Sequence, residues 1–100
     1  MTVIYAVRVQ FTDETVRDNY LRWITDGHAA AVVAAGARSA EVVSLADGAL
    51  EMRYAFPDRA ALAAYESGPA IALRAEVADL FPPDAFTVTR STGEIVATFD

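Results

Sequence analysis

The 100-residue chain contains no cysteine and no lysine, and it has a single histidine and a single tryptophan. Without cysteine there is no disulfide framework, no thiolate nucleophile and no cysteine-based zinc or iron–sulfur site. Without lysine there is no Schiff-base chemistry on a side-chain amine. His28 alone cannot complete a three-ligand zinc centre within one chain, so neither a metal nor a cofactor is expected. A Gly-rich phosphate loop, a G-x-S-x-G elbow and a dinucleotide fingerprint are also missing. No apolar run approaches the roughly 20 residues needed to cross a bilayer. Met1 to Phe11 lacks the basic start, unbroken apolar stretch and small-residue cleavage site of a secretory signal. These absences together predict a cytoplasmic protein without a membrane partner.

What is present is globular in character: 54% of the residues are hydrophobic and 22% charged. The length suits one domain, residues 1–100, and is too short for two. The formal charge is −6, and the arginines are scattered singly along the chain. Nucleic-acid binding begins with a basic patch that displaces counterions from phosphate, so that class of partner is not expected.

Residues Val3 to Phe11 alternate with the period of a strand. Tyr5, Val7, Val9 and Phe11 share one face, and Ile4, Ala6, Arg8 and Gln10 the other. Thr12 is placed to cap a helix, with Phe11 and Val16 as a hydrophobic staple. From Asp13 the spacing turns helical through Val16, Tyr20, Trp23 or Ile24, Gly27 and Ala31, with Leu21, Ile24, His28 and Val32 beside them, Asp26-Gly27 as a break or bend and Gly36 as the stop. Arg38 to Leu45 and Leu50 to Phe56 read as strands joined at Asp47-Gly48. Asp58 caps a third helical segment through Leu62 and Tyr65. Ser67-Gly68-Pro69 then starts another, which places Ala70, Leu73, Val77 and Leu80 on one side before Pro82-Pro83 ends it. Phe86 to Ser91 is a fourth strand, Thr92-Gly93 a turn, and Ile95 to Phe99 a short extra strand.

The order β, α, β, β, α, β predicts an α+β fold of ferredoxin-like topology: a four-stranded antiparallel sheet with the helices on one face. The second face then carries Ile4, Ala6 and Ala55, which want cover, among Arg8, Gln10, Glu51, Arg53, Thr87 and Thr89, which want partners or water. Pairing of two copies through this mixed face, around a partly wet inter-sheet cavity, meets both demands. The expected partner is therefore a second copy of the chain.

The run Trp23-Ile24-Thr25-Asp26-Gly27-His28 reads W-x4-H and continues into Val32-Val33 and Ala35-Gly36. Tyr54, Phe56, Tyr65, Leu73-Arg74-Ala75-Glu76, Phe81, Phe86 and Arg90 follow in order. Together they resemble a small bacterial family of unknown function within the dimeric α/β-barrel superfamily. That superfamily includes antibiotic-biosynthesis monooxygenases, EthD-like proteins and stress-responsive A/B-barrel proteins. The resemblance runs from Ile4 to Arg90 and implies a homodimer whose sheets close a barrel. The chain departs from the pattern where Ala29-Ala30 replace an Ile-Pro pair and where Ser67-Gly68 replace an acidic residue and a histidine.

His28 is the one side chain able to exchange a proton near neutral pH, and it is the candidate catalytic group. Arg8, Arg53, Gln10, Glu51, Thr87 and Thr89 are the candidate ligand-binding set on the outer face. An Arg8–Glu51 ion pair is their purely structural alternative. Trp23 and Tyr20 fit core positions, while Tyr54 and Tyr65 suit either core or an aromatic pocket. Arg74, near Glu66 and Glu76, reads as a solvated helix-face charge. No complete catalytic set is present. The leading reading is a homodimer binding a small anionic or aromatic ligand in the inter-sheet cavity. One alternative is a cofactor-independent monooxygenase or isomerase acting on an aromatic or polyketide-like substrate through His28. Another is a structural subunit docking through its C-terminal strand.

Overall fold

A computed structural model describes all 100 residues. The first strand, β1 (Val3–Phe11), follows its alternation: Val3, Tyr5 and Val9 are buried beneath helices, and Ile4, Ala6, Arg8 and Gln10 turn to the other face. Helix α1 (Glu14–Trp23) is capped by Asp13 rather than Thr12. The Asp13 carboxylate accepts from the amides of Thr15 (2.7 Å) and Val16 (3.3 Å). A carboxylate suits the positive end of the helix dipole better than a hydroxyl does, so the cap moves on by one residue. The Thr12 hydroxyl donates instead to the carbonyl of Ala85 at 3.2 Å. With the cap at Asp13 the staple positions fall on Thr12 and Arg17 rather than on Phe11 and Val16, and the Phe11 ring packs on Tyr20 at 5.3 Å.

The bend expected at Asp26-Gly27 is a π-helical turn over Ile24–His28, closed by the Ala29 amide bonding back to the Ile24 carbonyl. The chain continues directly into α2 (Ala29–Ala34). Gly36, at φ +136°, ends it in a conformation that costs other residues steric strain. Strands β2 (Ser39–Ser44) and β3 (Leu50–Phe56) form the expected hairpin. The Asp47 carboxylate accepts from the Ala49 amide at 3.0 Å and Gly48 takes φ +90°.

Asp58 caps α3 (Arg59–Ser67) through the Ala61 amide at 2.8 Å, as the sequence predicts. Ser67 does not cap α4 (Pro69–Leu80). Its hydroxyl donates back to the Ala64 carbonyl at 3.4 Å, and Gly68 occupies the cap position. Leu80 is 54% exposed rather than in the core stripe. After Val77 the inward position falls four residues on, at Phe81, instead of three. A 3-10 turn, Pro83–Ala85, leads into β4 (Phe86–Glu94).

The sheet order is β2-β3-β1-β4, antiparallel throughout. Strand β4 runs three residues beyond the expected Ser91 because β1 offers partners along its whole length: Thr92 lies opposite Tyr5, Gly93 opposite Ile4 and Glu94 opposite Val3. Thr92-Gly93 is therefore ladder, not turn. The expected strand over Ile95 to Phe99 does not form. After the Ile95 amide bonds Thr2 (3.0 Å) no partner strand remains, and Val96 and Phe99 stand out in solvent. The core lies between the sheet and the helices, with Phe56, Ile24, Leu50, Met52 and Val32 wholly enclosed. Truncating such a residue to alanine typically costs about 2–5 kcal/mol. No helix is long and apolar enough to cross a membrane.

Candidate functional site

Helix α4 buries only Ala70 completely. Further along, it stands over the sheet and roofs a cavity of about 340 Å³. Tyr5, Val7, Met52, Tyr54 and Val88 form the floor, and Leu73, Val77, Ala78 and Phe81 the roof. Tyr20, Ile24 and Phe86 close the sides. Thirteen of the seventeen lining residues are hydrophobic, so the few charged or titratable side chains decide what the cavity accepts. They are His28, Arg74, Arg90 and the tyrosine hydroxyls.

Alternation along β4 puts Arg90 on the same face as Phe86 and Val88, toward the helices. Arg74 hangs from α4, and its Nη2 donates to the Tyr5 hydroxyl at 3.1 Å. Burial works against the Arg74 charge, but the Tyr5 hydroxyl and neighbouring charges outweigh it, and the guanidinium stays protonated. Neither Arg74 nor Arg90 has a carboxylate within salt-bridge distance. The tyrosines are equally constrained: burial pushes Tyr20 up to about 12 and raises Tyr54 and Tyr65 above their usual value.

His28 lies at the end of the π turn and lines the same cavity. Its ring stacks on Trp23, with centroids 4.1 Å apart and planes 25° from parallel. Burial lowers its pKa below the ordinary 6.5, against an opposing pull from Glu76, so the ring is neutral at pH 7. Nδ1 is buried and has no hydrogen-bond partner. An enclosed lone pair is cheaper to leave unpaired than an enclosed N–H, so the proton belongs on Nε2. Trp23 in turn donates its indole N–H to Glu76 Oε1 at 2.9 Å, tying α1 to α4.

The outer-face set is arranged differently. Arg8 and Glu51 do face one another across β1 and β3, yet they do not pair. Arg8 binds Asp47 of the hairpin turn, and Glu51 binds Arg53 at 2.5 Å along its own strand. Both guanidinium groups thus already have a carboxylate. Gln10, Thr87 and Thr89 lie on that same face and are exposed. The sheet therefore separates His28 from Arg8 and Arg53. It brings His28 together instead with Arg74, Arg90 and Tyr5, which the sequence reading did not select. Arg74 is exposed, as expected of a helix-face charge, but it also reaches the Tyr5 hydroxyl and lines the cavity. The period-two alternation that places Thr87 and Thr89 outside already places Arg90 inside. Arg74 had a comparable signal, falling four residues after Ala70 on the inward side of α4.

No family model matches the chain, and no curated protein matches it. Solved structures do. The structure of Rv0793 from Mycobacterium tuberculosis superposes with a TM-score of 0.64 and 24% identity, covering 100% of this chain and 97% of that one. A dimeric ferredoxin-like protein from an uncultured marine organism gives a TM-score of 0.70 at 13% identity, with 98% of each chain covered. A second protein of that description gives 0.68 at 12%, again over 98% of each. The fold is ferredoxin-like. The resemblance read from the order of residues between Ile4 and Arg90 holds at this level, and at such identities it is a statement about fold alone.

Proposed function

We propose that this ferredoxin-like chain is a self-pairing protein that binds a small aromatic anion in the cavity between its sheet and α4. The observation that carries the reading is the pair Arg74 and Arg90. They line an otherwise apolar cavity, and neither lies within salt-bridge distance of a carboxylate. Both residues are exposed beside this apolar lining, where a guanidinium can pair with a planar acid while the aromatic walls recognise a ring. The leading site thereby moves from the inter-sheet space, where Arg8 and Arg53 are already paired, to the inner side of the sheet.

The arrangement supports binding better than proton transfer by His28. A base needs its lone pair toward the reacting atom, whereas His28 buries Nδ1 without a partner, and the tautomer protonated at Nε2 leaves that nitrogen a donor. Titration with anilinonaphthalenesulfonate and with substituted benzoates, followed by probe emission and by Trp23 fluorescence, tests the reading. Arg74→Ala and Arg90→Ala should each weaken binding about tenfold or more, the worth of one hydrogen bond to a charged group. Arg8→Ala and Arg53→Ala should leave it unchanged. If the outer-face pair matters and the inner pair does not, the ligand lies between sheets and the proposal falls.

A further inference from the structure

We infer that α4 is a hinged roof over the cavity, held shut by two polar latches rather than by its own packing. This goes beyond the ligand reading and does not require the ligand to be known. Of its twelve residues only Ala70, in the first turn, is fully buried, while Ile71 and Leu80 are 64% and 54% exposed. Leu73 and Val77 touch the core but also line the cavity, and both stay only half-buried. A helix seated this way gains little from the close packing that fixes α1 and α3.

Its two ends suit a swing. Gly68 precedes it with no side-chain cap, and Pro82-Pro83 follows it, so neither boundary extends the helix into its neighbours. Two hydrogen bonds cross the gap in the middle. Arg74 donates to Tyr5 in the sheet, and Glu76 accepts from Trp23 on α1. They leave α4 two residues apart, within one turn and about 200° around the axis, toward different neighbours, so together they fix both its height and its rotation. Ala70 stays seated as the pivot. Releasing the Trp23–Glu76 latch lets the outer end lift and opens a path past Val77 and Phe81. An anion held by Arg74 would draw the same helix down.

Native-state amide exchange of the full chain decides this without a ligand. In the wild type, amides of residues 73–80 should exchange faster than those of β1 and β3. Glu76→Ala and Trp23→Phe, which break the latch from opposite sides, should speed exchange in α4 about tenfold further. Glu76→Gln, whose amide oxygen still accepts from the indole, should stay near wild type. Unchanged protection in β1 and β3 shows that each variant is folded. Amides of α4 that exchange no faster than those of the sheet, in wild type and variants alike, would overturn the roof. A second arm uses anilinonaphthalenesulfonate, which should associate faster with Glu76→Ala. If that probe binds no variant, the ligand reading fails while the exchange result still judges the hinge.

Discussion

Tyr20 illustrates how a single side chain ties stability to pH. Its ring is packed among Phe11, Trp23, Phe81 and Phe86, and burial outweighs the help Arg90 gives to the phenolate. Its pKa is about 12 in the folded chain, against 10.0 when free. The raised value means the folded state holds its proton more tightly. Its contribution is therefore complete below pH 10 and is lost as pH rises from 10 through 12, roughly 2–3 kcal/mol in all. Alkaline denaturation should begin in that window, and Tyr20→Phe should remove part of it, the raised Tyr54 and Tyr65 supplying the rest; urea midpoints between pH 9 and 12 measure both effects. His28 has the opposite sign. Burial depresses its pKa, so the stability it supplies is present above pH 6.5 and declines as pH falls through the lower folded value. Its imidazole resonances should titrate below 6.5, and His28→Gln should remove part of the acid-side loss.

At this scale the sequence was readable where one rule acts alone and misleading where two compete. Alternation correctly turned Tyr5, Val7 and Val9 inward. It did not reveal that Asp47 would win Arg8 from Glu51, because that depends on where a turn carboxylate sits across the hairpin. The cap shift from Thr12 to Asp13 is a contest between two good acceptors one residue apart.

Among the elements, the π turn has the clearest physical origin. The residues Val16, Tyr20, Ile24, His28 and Val32 are spaced by four throughout, and an α-helix advances about 100° per residue, so each step drifts about 40°. Over four steps that amounts to about 160°, which would carry Val32 out of the core. One extra residue accommodated in a wide turn takes back about 100°, and Val32 is wholly buried. The Thr25 hydroxyl helps by donating to the Leu21 carbonyl at 2.9 Å. Deleting the exposed Asp26 should therefore restore a plain helix and lower stability by about 1 kcal/mol or less, a few degrees in Tm. Deleting the exposed Asn19 lacks this outlet and should prevent folding. Thermal melts of the two deletions compare them directly, and equal damage would count against this origin. The sequence marked the place of the irregularity, at Asp26-Gly27, but not its form. A break and a wide turn share the same glycine signal.

For the whole molecule, the same topology that shelters the cavity leaves a second sheet face uncovered. Ile4, Ala6, Val43 and Ala55 remain half-buried at best on that face. Around them lie the Arg8–Asp47 and Arg53–Glu51 pairs, each closed within the protomer. Because these charges are neutralised in pairs, a second copy can approach without stranding a bare guanidinium against another, and the apolar residues supply the gain. The exposed tail residues Val96 and Phe99 would add contact area if they lie along the other copy. Light scattering should therefore report twice the chain mass. Ala6→Arg sets a third guanidinium directly opposite Arg53 and beside Arg8, where the adjacent Glu51 is already paired. That variant should yield a monomer with an unchanged fold by circular dichroism, while anilinonaphthalenesulfonate binding in the inner cavity persists. A monomeric wild type would remove the reason for those apolar residues to face outward. A binding signal that vanished with Ala6→Arg would put the ligand between the sheets after all.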